Sequence, residues 1–322
     1  MTVCKTAAMA TAMWLTLAAL ALPAAAQDFP KHPIRIVVPI VAGGTVDLVA
    51  RLVARGMSEE YGQPVIVDNK GGGATLIGMR NVMQAPPDGY TLLATANTLV
   101  SAAEFIPDAH YDPARDFTPI TLTARVPMVL VVHPQSGMHT VADLIARARA
   151  DPGQLSNASS GIGSTGFIAA ELFSQQAGIR LLPVAYKGNA PALMDVIGGQ
   201  VASMFDQVST AGAYVKSGKL VALGVSTRTR SALLPDVPTI AEAGLPAYED
   251  VTYNAILAPA GTPQPIVDKL FRTITRVMAD PAVVKQLAAQ GVEAHTSDSP
   301  AQFGAFIASQ QKTYRALSGS AR

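Results

Sequence analysis

Residues 34–60 read IRIVVPIVAGGTVDLVARLVARGMSEE, and the order of residue types in this stretch decides the fold class. The β-branched run Ile34-Arg35-Ile36-Val37-Val38 predicts a strand. Pro39 to Thr45 is a loop carrying Gly43 and Gly44, and a helix follows from Val46 to about Glu60. The same strand, loop and helix order recurs outward along the chain. Val65–Val67 leads to Asn69-Lys70-Gly71-Gly72-Gly73 and a helix over Ile77–Gln84, and Thr91–Ala94 is a third strand. Further on, Met128–Val132 precedes a helix at Val141–Ala150. Leu155–Asn157 leads through Gly161–Gly166 to the helix Phe167–Gln176, and Leu181–Ala185 precedes a helix opening at Ala190–Ile197. Val201–Phe205, Leu220–Ser226 and Asn254–Ala258 complete the strands; Ile266, Leu270, Ile274 and Val277 keep helical spacing, and Phe303–Leu317 is a final amphipathic helix. Such alternation predicts an α/β fold of mostly parallel sheets flanked by helices.

At 322 residues, the chain exceeds what one ordinary core serves, so two domains are expected. Hydrophobic residues make up 49% and charged residues 15%, a composition that excludes disorder. No low-complexity linker separates the halves, so strands rather than a tether are expected to join two lobes, near Val126–His133 and Thr252–Ala258. The expected division places residues 27–127 and 252–322 in lobe 1 and residues 128–251 in lobe 2. The net charge is +1 and no charged block stands out, which removes nucleic acid and anionic membrane surfaces as partners.

Residues 1–26 carry one charge, Lys5, then an apolar run from Ala7 to Leu22, Pro23 and Ala24-Ala25-Ala26. These are the three regions of a cleaved secretory signal peptide, and they predict a periplasmic protein starting at Gln27. The only cysteine, Cys4, would leave with the signal, so no disulfide and no thiolate metal site is expected.

Four loops place glycine, hydroxyl or amide residues at a strand-to-helix step: Ala42–Thr45, Thr95–Thr98, Gly161–Gly166 and Lys187–Ala190. Taken singly, each reads as a cap and a tight turn. Taken together, they read as a shared site, because ligands of open α/β sheets bind at the carboxyl ends of strands. Free N–H groups and the positive end of the helix dipole make a helix start an anion site without formal charge. Gly161–Gly166 also fits G-x-G-x-x-G after a strand and before a helix. However, the next strand ends Ala185-Tyr186-Lys187, without the acid that a dinucleotide ribose requires. The five histidines have no metal-ligand spacing, no G-x-S-x-G elbow occurs, and Ser217-Gly218-Lys219 lacks the rest of a P-loop. No catalytic group, metal or cofactor is therefore expected. Asp206, at a strand end, either caps the helix after it or faces the cleft and holds a ligand amine or a water. Asp47 suits the dipole at its helix start.

The whole set resembles the substrate-binding proteins of tripartite tricarboxylate transporters, the Bug family of periplasmic receptors. The resemblance runs through IRIVVPIVAGGTVDLVARLVA (34–54), GQPVIVDNKGGG (62–73), PDGYTLLA (87–94) and YDPARDFTP (111–119). It continues through SNASSGIGSTGFIAAELF (156–173), YKGNAPALMDVIGGQVASMFD (186–206), LPDVPTIAEAG (234–244) and LAPAGTP (257–263). It implies a two-lobed periplasmic-binding-protein fold, a Venus flytrap of type II-like build. The implied function is capture of a small carboxylate and its delivery to the membrane subunits of the transporter, by a monomer. By matching motif, the first lobe would contribute Gly43, Gly44, Thr45, Thr95, Asn97 and Thr98. The second would contribute Ser164, Thr165, Gly188, Asn189, Ala190 and Asp206. The first loop departs from the family's Pro-Phe-x-Pro-Gly-Gly, with Thr before the Asp: here it is Pro39-Ile40-Val41-Ala42-Gly43-Gly44-Thr45-Val46-Asp47. The rival readings are an exported α/β hydrolase or oxidoreductase, which would need a catalytic constellation, and a ligand sensor acting on a signalling partner.

Overall fold

The structure, a computed structural model, describes residues 29–320. The segment read as a signal peptide lies outside the described residues. In chain order the elements begin β1 (Ile34–Val38), α1 (Thr45–Tyr61), β2 (Val65–Asn69), α2 (Leu76–Met83), β3 (Thr91–Ala96) and α3 (Thr98–Phe105). The middle of the chain forms β4 (Phe117–Val132), α4 (Val141–Ala150), β5 (Ser156–Ser159), α5 (Thr165–Ala177), β6 (Leu182–Ala185), α6 (Asn189–Ile197), β7 (Ser203–Gln207), α7 (Val208–Lys216) and β8 (Val221–Val225). The last part forms β9 (Val251–Pro259), α8 (Gln264–Ala279), α9 (Pro281–Ala288), β10 (Glu293–Ala294) and α10 (Pro300–Ser320).

The fold is two-lobed, and one strand belongs to both lobes. Phe117–Pro127 of β4 pairs with β9 in a sheet ordered β2-β1-β3-β9-β4, and Met128–Val132 of the same strand runs between β7 and β8 in a sheet ordered β8-β4-β7-β5-β6. The sequence marks this strand only from Met128 to Val132. Pro119 and Pro127 are accommodated where pairing changes. A register shift follows Pro119, and Pro127 ends the β9 ladder opposite Val251, the bulge and terminal positions at which a strand tolerates a missing N–H. The sheets are mixed rather than mostly parallel. β1–β2, β1–β3, β5–β6 and β5–β7 are parallel, but every pair made by β4 or β9 is antiparallel.

Three apolar layers fix these sheets. α1 lays Val49, Leu52, Val53 and Met57 against Ile34, Ile36 and Leu92, and α8 covers the same face with Ile266, Leu270 and Ile274. Each such side chain contributes about 1.5–3 kcal/mol when fully buried. On the opposite face, Leu93, Tyr253 and Leu257 meet α10 through Phe303, Ile307 and Tyr314, and this layer continues through Phe173, Phe205 and Tyr248 into the second sheet. The outer face of the second sheet is closed by Leu193 and Val196 of α6 and Val208 and Ala211 of α7.

Candidate ligand-binding cleft

Strand directions place the candidate loops face to face. β3 is antiparallel to β9 and β9 to β4, so β4 leaves the first sheet in the direction in which β1 and β3 run. β7 is antiparallel to β4, and β5 and β6 follow β7. The carboxyl ends of β1 and β3 therefore point towards the second sheet, and those of β5, β6 and β7 point back towards the first. The helices that start there, α1, α3, α5, α6 and α7, direct their N-terminal ends at one junction.

In the first lobe the β1–α1 loop is held by a carboxylate. Asp47, 5% exposed, accepts hydrogen bonds from Gly43 N (3.0 Å), Asn69 Nδ2 (3.0 Å) and Arg51 Nε (3.1 Å). Burial acts to raise its pKa, but the bonds from Arg51, Asn69 and Gly43 outweigh it and hold the carboxyl below its ordinary range. Asp47 thus does more than suit the helix dipole: it ties the loop to the end of β2. Gly44, at the N-cap of α1, makes no side-chain cap, and Thr45 stands half-buried at the first helical position. In the β3–α3 step, Asn97 is buried with its Nδ2 3.3 Å from Tyr314 Oη, while its Oδ1 has no partner among the described residues. Thr98 is half-buried at the start of α3. Thr95 lies one step back inside β3, buried, its hydroxyl 3.5 Å from Ala96 O.

In the second lobe Ser164 caps α5, accepting from Phe167 N at 3.4 Å, and Thr165 is the first helical residue. The glycines around them have structural causes. Gly163 has φ +77°, and a Cβ on Gly166 would sit 2.6 Å from Phe205 O. The G-x-G-x-x-G pattern thus serves a turn and the packing of α5 on β7. Gly188 opens α6; Asn189 Nδ2 donates to Asp206 Oδ1 at 2.6 Å, and Ala190 is exposed. Asp206, 1% exposed, also accepts from Gln207 N (2.7 Å) and Thr210 Oγ1 (2.6 Å). Burial raises this carboxyl against those bonds. Of its two sequence readings, neither is the whole: Asp206 brackets the starts of α6 and α7 and orients Asn189.

The two lobes meet where α3 faces the β5–α5 loop. Ser101 Oγ donates to Gly163 O at 2.5 Å, and the rings of Phe105 and Phe167 are edge-on at 5.5 Å. Asn97–Thr98 and Ser164–Thr165 are thereby brought together, as are Asn189 and Asp206. The hydrogen bonds of Gly43 and Gly44 stay within the first lobe.

Two residues of β9 were not singled out by sequence. Asn254 is 1% exposed and neither amide atom has a partner among the described residues; Thr252 Oγ1 is likewise unpartnered. Asn254 pairs with Ala96 and Ala124 and shares with Ile256 the face covered by α1. The legible signal was a polar pair within Val251-Thr252-Tyr253-Asn254-Ala255-Ile256, a strand otherwise apolar. Chemically, the junction offers helix N–H groups, hydroxyls and amides, a set suited to an anion with hydrogen-bonding oxygens. No group of three or more His, Cys, Asp or Glu residues placed to hold a metal occurs among the described residues.

Residues 49–319 match the family model described as tripartite tricarboxylate transporter family receptor. The chain belongs to this family. Protein BugT of Bordetella pertussis is 34% identical to this receptor over 300 residues, covering 92% of each chain. Among solved structures, periplasmic binding protein BugD superposes with a TM-score of 0.78 at 33% identity, over 91% of this chain and 98% of its own. Rpa4515 of R. palustris, solved with adipate, gives 0.80 at 34%, over 91% and 99%. MatC of Rhodopseudomonas palustris, solved with bound malate, gives 0.79 at 29%, over 90% and 100%. These likenesses establish the Bug-type receptor with its two-lobed fold.

Proposed function

We propose that this receptor captures a small carboxylate between its lobes and delivers it to the membrane subunits of a tripartite transporter, without covalent chemistry. The observation that carries this is the convergence of five helix N-termini from both lobes on one junction, supported by relatives solved with adipate and malate. The donors are Gly43, Gly44, Thr45, Asn97 and Thr98 from one side and Ser164, Thr165, Gly188, Asn189 and Ala190 from the other. Asp206 acts through Asn189, Thr95 supports the end of β3, and Thr252 and Asn254 form the floor. The lobes divide within β4 at residues 127/128 and near the start of β9 at residues 251/252, and the chain acts as a periplasmic monomer after loss of residues 1–26. Calorimetric titration with adipate, malate and a panel of mono-, di- and tricarboxylates tests the assignment. Saturable binding of one class, lost on substitution within the donor set, is the expected result. A panel without any binder, or binding unchanged by those substitutions, refutes it.

A further inference from the structure

A second cavity, of about 500 Å³, lies on the other face of β4 and β9, between α5, α10 and the start of β9. None of the cleft residues lines it. Its inner end is formed by Asp250, Tyr253, Phe303 and Tyr314, all buried. Asp250 Oδ2 and Tyr253 Oη both lack a hydrogen-bond partner among the described residues. The Tyr253 and Phe306 rings stand edge to face, 5.1 Å between centroids. At the open end Arg125 and Gln176 are exposed, and Glu249 is engaged by Arg228 at 3.2 Å. A buried carboxyl oxygen without a donor is costly to leave unmatched. An acceptor oxygen beside aromatic faces is the environment that an alkylammonium satisfies, through a charge-assisted bond and cation–π attraction.

We propose that this cavity is a second small-molecule site, which takes an organic ammonium with its nitrogen against Asp250 and Tyr253 and its apolar body along Leu122, Leu172 and Phe306. The site is wired to the cleft. Tyr314 accepts the hydrogen bond of Asn97, and α5, which lines the cavity with Leu172 and Gln176, starts at Ser164 and Thr165. Any coupling between the two sites is reciprocal. Burial, with Glu249 adding to it, pushes Asp250 up to about 7. The other ionisable groups around the cavity are Tyr253 of β9, Tyr314 of α10, the preceding Tyr248, Arg125 of β4 and His295, which burial and Arg125 hold low. An ammonium favours the ionised carboxylate, so its affinity rises with pH through that range.

The test uses the purified protein and two probes of one shape and opposite charge, phenethylammonium and 3-phenylpropionate, followed by amide NMR shifts and calorimetry at pH 6 and pH 8. Phenethylammonium should give saturable shifts in residues 172–176, 250–253 and 306–314, and bind several-fold more tightly at pH 8. Asp250→Asn should weaken it about tenfold or more, as expected for loss of a charged partner, and Tyr253→Phe should weaken it less. Absence of saturable shifts at those residues at tens of millimolar, equal binding of 3-phenylpropionate there, or affinity unchanged in both variants overturns the proposal. It stands apart from the carboxylate reading of the cleft, since its shifts fall on different residues from those of a cleft ligand.

Discussion

Replacing Asn254 by Leu should make the receptor more stable and worse at its task. Asn254 sits in the middle of β9, paired with Ala96 and Ala124, with a side chain of which neither polar atom meets a partner among the described residues. Each unsatisfied buried group costs about 1–3 kcal/mol, and an apolar side chain of similar shape removes that cost. Leu is slightly bulkier than Asn, and overpacking offsets part of the gain. A net stabilisation of about 1–3 kcal/mol is expected, which at about 2–4 °C per kcal/mol moves Tm up by several degrees. The ligand-bound protein should respond in the opposite sense. If Asn254 meets the carboxylate, loss of one bond to a charged group removes about 1.5–3 kcal/mol, or roughly 10- to 150-fold in Kd. Thermal melts with and without the carboxylate found by titration measure both effects at once. The parent's Tm should rise on ligand addition, and the variant should start higher and rise much less. A variant that melts lower than the parent yet keeps the full ligand-induced rise would sink the reasoning, because the amide would then be satisfied within the protein and remote from the ligand.

Four further substitutions have outcomes set by the geometry. Thr165→Val should weaken carboxylate binding about tenfold or more through loss of a hydroxyl donor. Lys187→Met should cost less, since Lys187 is exposed and salt screens such a charge; calorimetry showing the reverse order would mean an ordinary charge-paired site. Asp47→Ala should destabilise the protein by about 2–3 kcal/mol, having removed a buried acceptor from Gly43, Asn69 and Arg51. Because Asp47 is held below its ordinary pKa, that difference should be full at neutral pH and fade as denaturant melts are taken down through its folded pKa. Asp250 has the opposite sign. With its carboxyl pushed up to about 7, the native state holds a proton that the unfolded chain releases, so this group lowers stability as pH rises from about 4 to 7. Asp250→Asn should therefore match the parent near pH 4 and exceed it above pH 7 by up to about 4 kcal/mol; a pH-independent difference between the two would refute the assignment.

The local units were legible because their causes are local. Ile34–Val38, Gly43–Gly44 and the helix beyond them declare themselves by β-branched content, glycine and helical spacing, and the structure has β1 and α1 at those places. β4 was not legible over its full length. Pro119 and Pro127 read as breakers in a single sequence, and only the partner strands reveal that one stands at a register shift and the other where β4 exchanges β9 for β7 and β8. The face-to-face arrangement of the loops depends on the direction in which that strand crosses, so the sequence could name the loops without showing from local pattern what sets them opposite one another.

The same distinction explains what was missed within the cleft. Gly43, Ser164 and Asn189 stand at helix starts, where residue type and position alone announce a donor. Thr252 and Asn254 stand in a strand, where a polar residue at one edge of an apolar run looks like the end of the run. Their significance comes from pairing: Ala96 opposite Asn254 marks the α1 face, and small alanines on both neighbouring strands leave the amide without a polar cross-strand partner. Asp206 is the converse case. Its position at a strand end suggested either a cap or a ligand contact, but Thr210 lies one turn further on and Asn189 lies 17 residues back, and only folding brings both within 2.6 Å of one carboxylate. Helix-start donors are encoded locally, whereas the residues that orient them and the strand that floors them are encoded by topology. On the proposed assignment of the cleft, substitutions at Asn254 or Asp206 would change ligand preference while every helix-start loop stays intact.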